Sequence, residues 1–300
     1  MINGIINVYK EKGFTSFDVV AKMRGMFHQK KIGHTGTLDP DAEGVLPVCL
    51  GKATKVCDLL TDKDKEYKAV LLLGKETDTQ DISGEVLSES EVNVSEEEVR
   101  SAILSFVGDY EQVPPMYSAL KVNGQKLCDL ARKGITVERK ARPVTIHHIE
   151  ITSIKLPEVE MIVSCSKGTY IRTLCDDIGK KLGCFGCMKS LLRTKVDRFQ
   201  VENAYKLSEL QELLQQPESE WSFVESIDGV FEKYVAVTVS KDAQKLVDNG
   251  NRIPDTFVVD FSQDKSQEKV RLYDANNRFI GIYSYINESK EYKPIKLFME

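Results

Sequence analysis

Long apolar runs are missing from this sequence. No stretch approaches the ~18 consecutive apolar residues of a membrane helix, and Met1 to Asn7 has no basic flank leading into a signal-type core, so a cytoplasmic protein is expected. Histidine is scarce. His28, His34, His147 and His148 are the only four, and none has zinc-type spacing with cysteine. Cys184-Phe185-Gly186-Cys187 is a single CxxC without a second ligand pair, which argues against a metal or redox centre. There is no phosphate-cradling or dinucleotide glycine loop and no Gly-x-Ser-x-Gly elbow. Asp39-Pro40-Asp41-Ala42-Glu43 has alternate acids but puts proline between the first two and lacks the rest of a calcium loop. The seven cysteines are odd in number and scattered, so reduced thiols serving mostly as small core residues are expected rather than a disulfide framework.

What is present is a 300-residue chain, 41% hydrophobic and 29% charged, enough for one large folded domain and a smaller one. The net charge of −5 is unevenly divided: residues 1–60 carry +2, 61–120 carry −9, 121–200 carry +8 and 201–300 carry −6. A +8 block can make a local positive face on an acidic protein, although ordinary solvated surface reads the same way.

Residues 2–9 read as a strand. Thr15-Ser16 then caps a helix with Val19, Val20, Met23 and Phe27 on its apolar face. A glycine- and proline-rich loop occupies 33–47. Lys65 to Leu73 has strand character, residues 77–84 have turn chemistry, and Ser95-Glu96-Glu97-Glu98 is a capping box opening a helix. Leu127, Leu130 and Ala131 before Gly134 predict a short helix, and the alternation of Val159, Met161, Val163 and Cys165 predicts a half-buried strand. That strand runs into Ser166-Lys167-Gly168-Thr169 and a helix with Ile171, Leu174 and Ile178 in a stripe, Arg172 standing at its start beside the loop. After a break between 215 and 229, residues 234–239, a helix from Ser240 and a strand pair around Ala275-Asn276-Asn277 make a compact β-rich unit. The pattern predicts a mixed α/β (α+β) fold with domains at 1–231 and 232–300, and no repeats.

Asp39 lies among Gly33, Gly36, Pro40 and Gly44, so its carboxylate rides on a tightly turned loop, where reactive groups are often carried. Asp39-Pro40 is equally a common turn initiator.

Four ordered segments decide between these readings by resemblance. Residues 33–40 (GHTGTLDP) followed by 44–55, residues 65–68 with Gly74, Thr77-Asp78-Thr79 and Asp81, residues 114–121 (PPMYSALK), and residues 166–174 (SKGTYIRTL) resemble, in order, the motifs of the bacterial tRNA pseudouridine-55 synthases of the TruB type. The similarity covers roughly residues 1–200. It implies a catalytic domain built on a long, mainly antiparallel sheet with the cleft crossing it. The C-terminal unit resembles the small β-rich PUA domain only weakly.

The resemblance implies a cofactor-free, metal-free intramolecular isomerase that acts on the T-arm of tRNA as a monomer. Asp39 is then the essential acid, as a nucleophile on ribose or base or as a base taking a ribose proton; the sequence leaves these open. Arg172 matches the arginine that pairs with it, although a surface salt bridge is the bland reading. Tyr67 matches the tyrosine that stacks on the extruded base, against a plain core aromatic. His34 matches the residue that fills the space of the flipped nucleotide, and Tyr170 and Leu192 match positions lining the uracil pocket. Lys10, Lys30, Lys31, Lys121, Arg132 and Arg142 are expected phosphate contacts. Lys10-Glu11 departs from the family's usual Lys-Pro. Two other readings compete: a non-catalytic tRNA-binding or folding module on the same scaffold, and a guide-RNA-dependent synthase. The latter typically has a longer N-terminal extension, whereas Ile2 already begins the first strand.

Overall fold

The computed structural model describes residues 1–218, 221–261 and 268–299. In chain order its first elements are β1 (Gly4–Lys10), α1 (Ser16–Met26), β2 (Ile32–His34), β3 (Glu43–Leu50), α2 (Cys57–Thr61) and β4 (Lys65–Leu73). They are followed by β5 (Lys75–Thr77), β6 (Val86–Glu89), α3 (Glu96–Leu104), β7 (Gly108–Gln112), β8 (Lys121–Val122), β9 (Gln125–Lys126) and α4 (Leu127–Ala131). Next come β10 (Arg142–Lys155), β11 (Glu158–Cys165), α5 (Ile171–Leu182), β12 (Gly186–Val196), β13 (Phe199–Gln200) and α6 (Leu207–Leu213). The C-terminal unit holds β14 (Val235–Val239), α7 (Gln244–Asp248), β15 (Ile253–Pro254), β16 (Val258–Phe261), β17 (Lys269–Tyr273), β18 (Phe279–Ile286) and β19 (Glu291–Leu297).

Local chemistry accounts for the helix starts. Thr15 accepts from the Asp18 amide while the Asp18 carboxylate accepts from the Thr15 amide, and Ser95 and Glu98 repeat this reciprocal arrangement at α3. Each cap satisfies two amides that a helix start otherwise leaves open. On α5, Ile171, Leu174 and Ile178 are buried against the sheet, each contributing roughly 1.5–3 kcal/mol. Arg172 is thereby fixed at the helix N-terminus.

Nine strands form one sheet in the order β1-β3-β12-β4-β11-β10-β7, with β2 added to β3 and β13 to β12. Every pairing is antiparallel except β12 with β3, where Leu192 faces Glu43 and Arg193 faces Gly44. That parallel joint is tight: at Gly44, with φ of +105°, a Cβ would come within 2.2 Å of the Arg193 carbonyl oxygen. Only glycine fits there. The mixed class and mainly antiparallel sheet are as expected.

The central core packs α3 and α5 on β4, β11 and β12, and a second packs α1 and α6 on β1 and β3. The β-rich C-terminal unit is a six-stranded sheet, β15-β19-β18-β17-β14-β16. It is joined to the rest through a shared core in which Ile282 and Phe298 pack with Ile5, Val45, Cys49, Ala53 and Phe231. All seven cysteines are free thiols, and five are buried. No helix among the described residues is long and apolar enough to cross a membrane.

Candidate active site

The loop between β2 and β3 carries Asp39 and is pinned on both sides of it. The Leu38 amide donates to Ser16 Oγ at 2.9 Å, the Gly13 amide donates to the Pro40 carbonyl at 2.9 Å, and the Ala42 amide donates to the Asp39 carbonyl at 3.1 Å. Leu38 and Ala42 are buried in the same core as Tyr67. With its neighbours anchored, the Asp39 backbone is held in place and its side chain points in one direction.

That direction is toward Arg172. Its Nε lies 3.0 Å from Asp39 Oδ2 and its Nη2 donates to Oδ1 at 3.3 Å, a two-pronged pair. Nη1 also donates to the Thr79 carbonyl at 2.9 Å and lies 3.6 Å from Asp81, and Nη2 donates to the Tyr117 carbonyl at 2.8 Å. One guanidinium therefore gathers residues from all four recognised segments. The pair is unlike a surface salt bridge, which exposes both partners: the Arg172 side chain is 5% exposed and that of Asp39 is 40% exposed. Burial pushes the Asp39 carboxyl above its ordinary value, Arg172 opposes that push, Asp81 adds to it, and Lys10 opposes it.

Tyr67 stands on β4, buried, in the core that also holds Leu38 and Ala42. Burial raises its phenol above the ordinary value. Tyr170 caps α5, and Gln112 grips its backbone on both sides, the side-chain amide accepting from the Tyr170 amide at 2.7 Å and donating to its carbonyl at 3.0 Å. His34 ends β2, half-buried, and burial together with the nearby Arg193 charge holds its imidazole below the ordinary value.

Two expectations need correction. Leu192 is on the wrong face: on β12, Leu191 pairs with Ala69 and Arg193 with Tyr67, whereas Leu192 pairs with exposed Lys68. Because successive strand residues point to opposite faces, Leu191 is the leucine in the Tyr67 core. Lys10 is not presented as a phosphate contact. It is fully enclosed, its ammonium donating to the carbonyls of Pro40 at 3.0 Å and Glu11 at 3.2 Å, so it braces the Asp39 loop. The departure at Glu11 leaves this brace in place, because Lys10 uses the Glu11 carbonyl. Lys30, Lys31, Lys121, Arg132 and Arg142 are all exposed to solvent.

The N-terminal domain model of the TruB family pseudouridylate synthases matches residues 24–171, and the C-terminal domain model of tRNA pseudouridylate synthase B matches 172–230. A protein named tRNA pseudouridine synthase B from Lachnoclostridium phytofermentans is 53% identical, over 99% of this chain and 100% of its own length. The chain belongs to the TruB family. A TruB relative of the same name from Alkaliphilus oremlandii is 46% identical, over 99% of this chain and 97% of its own. Among solved structures, the synthase fold aligns with a chain of a Cbf5-Nop10-Gar1 complex at TM-score 0.72 and 26% identity, covering 99% of this chain and 85% of that one.

Sequence reasoning passed over Gln112, Asp81 and Arg193 as site residues of this TruB protein. Asp81 lay inside a recognised segment without a role, and a lone glutamine before Val113-Pro114 carries no local signal. Arg193 follows two leucines in a strand, where an arginine reads as a solvated edge. Among the described residues, no three His, Cys, Asp or Glu side chains cluster as they would to hold a metal ion.

Proposed function

We propose that this chain converts the uridine at position 55, in the T-loop of tRNA, to pseudouridine, as a cytoplasmic monomer with a catalytic unit at 1–231 and a PUA-like unit at 232–300. The observation that carries this is the pair in which a buried Arg172 aims the partly open Asp39 carboxylate. A cation at 3.0 Å favours the ionised carboxylate, which the reaction needs whether Asp39 attacks the sugar or base or removes a ribose proton.

The reaction breaks the N1–C1′ bond and forms a C5–C1′ bond; the C5 proton leaves to solvent and N1 takes one up. No group is transferred, so no co-reactant enters. Extruding the base costs a few kcal/mol, about what one aromatic stack returns, and Tyr67 offers the ring. Leu191 and Tyr170 flank the uracil, His34 fills the space the nucleotide leaves, and Lys10 holds the loop. The exposed Lys30, Lys31, Lys121, Arg132 and Arg142 meet the phosphates.

The identity of 53% to a protein named tRNA pseudouridine synthase B, against 26% to a chain of the Cbf5-Nop10-Gar1 complex, supports tRNA as the substrate. The test is release of tritium from a tRNA transcript carrying C5-labelled uridine. Wild-type protein releases label from the intact T-loop and none from a transcript with cytidine at position 55. Tight tRNA binding without release would instead make the chain a non-catalytic binding module.

A further inference from the structure

Arg193 is the largest fully buried side chain in the described structure, 1% exposed, and the chemistry given to Asp39 makes no use of it. Among the described residues no carboxylate lies within ion-pair distance of its guanidinium. Burying an unpaired charge is costly, and filling space or satisfying a carbonyl does not require one. What the planar fork supplies is several donors in fixed directions.

Those donors reach two separate segments, and the residue lies beside a third. Nε donates to the Val45 carbonyl of β3 at 2.7 Å, and Nη2 donates to the Gly36 carbonyl of the catalytic loop at 3.3 Å. On β4, Tyr67 is the direct ladder partner of Arg193, on the same face. The Arg193 backbone meanwhile lies against Gly44 so closely that no Cβ fits between them. The residue thus stands at the parallel joint where the Asp39 loop returns to the sheet.

We infer that Arg193 is a positioning residue for the isomerisation, setting the Tyr67 ring and the Gly36 end of the catalytic loop in one geometry so that stacked base and Asp39 carboxylate meet. The inference rests on the proposed synthase reading. Its electrostatic surroundings agree: the Arg193 charge opposes the upward push of burial on the Tyr67 phenol and draws His34 down. Arg172 holds the carboxylate, and Arg193 holds the loop that carries it and stands beside Tyr67.

The test compares Arg193→Lys and Arg193→Met, each alone and with Tyr67→Phe, by single-turnover tritium release, tRNA filter binding and thermal unfolding. With the fold retained, both single variants bind tRNA within about threefold of wild type, while the single-turnover rate falls about 100-fold. In the Tyr67→Phe background the additional loss shrinks to about threefold, because coupled residues do not act additively. Arg193→Lys keeps the charge but not the fork and fails to rescue.

Full additivity, an unchanged turnover rate, or a loss confined to binding would overturn the assignment. Should the Arg193 variants not fold, the Arg193 side-chain nitrogen resonances decide. They move on Tyr67→Phe if the two residues are joined and stay fixed if they are not. A wild-type protein that releases no tritium would remove the synthase reading, and the same resonances would still report on the coupling.

Discussion

Arg172 and Asp39 are joined by two nitrogen–oxygen contacts, Nε to Oδ2 at 3.0 Å and Nη2 to Oδ1 at 3.3 Å, with the cation buried and the carboxylate open on one side. A lysine cannot reproduce the planar fork, nor can it bond Thr79 and Tyr117 at the same time. Arg172→Lys is expected to lower the single-turnover rate about 100-fold with little change in tRNA affinity. Rapid-quench tritium release and filter binding separate the two.

The same pair sets a pH dependence. Burial raises the Asp39 carboxyl and Arg172 works against the rise, so the acid limb of the rate profile lies above the ordinary carboxylate value. Activity is full above that raised value and is lost as pH falls through it. Removing the cation in Arg172→Met moves the limb further up, seen in a pH–rate profile between about pH 4 and 8.

Lys10 predicts a stability effect of opposite kind. Burial, opposed chiefly by Glu43 and Asp39, pushes its ammonium down from 10.5 to about 8. Between those values the unfolded chain binds more protons than the folded one, so stability rises with pH in that window. Lys10→Met should lose that slope. Lys65, also pushed down to about 8, contributes equally to both proteins, so urea unfolding at a series of pH values isolates Lys10 in the difference.

Leu191 and Leu192 make a direct comparison. Leu191 is buried beside Tyr67, so Leu191→Ala should cost about 2–4 kcal/mol and reduce turnover. Leu192, on the Lys68 face, should cost under about 1 kcal/mol as alanine and leave turnover intact. Denaturant melts and single-turnover assays check both.

Features decided by neighbours in sequence were legible before the fold was seen. The caps at Thr15 and Ser95, the strand Lys65–Leu73 and the helix beginning beside Arg172 follow from residues a few positions apart. The site was legible only through resemblance, because Arg172 meets Asp39, Thr79 and Tyr117 from 133, 93 and 55 residues away. Leu192 was misplaced because two adjacent leucines give no phase, and β12 shifts register between Met188 and Ser190 and again between Arg193 and Lys195. Lys10 and Arg193 were hidden by their own chemistry: cations are expected in water, whereas both are enclosed here with backbone carbonyls receiving their donors.

The account stands on Asp39 as the catalyst, and Asp39→Asn tests it with almost no change of shape. With tRNA labelled at C5 of its T-loop uridine, the variant should stay folded at the assay temperature, bind tRNA and release no tritium under single-turnover conditions. Release at a rate near that of the wild type would contradict the assignment outright.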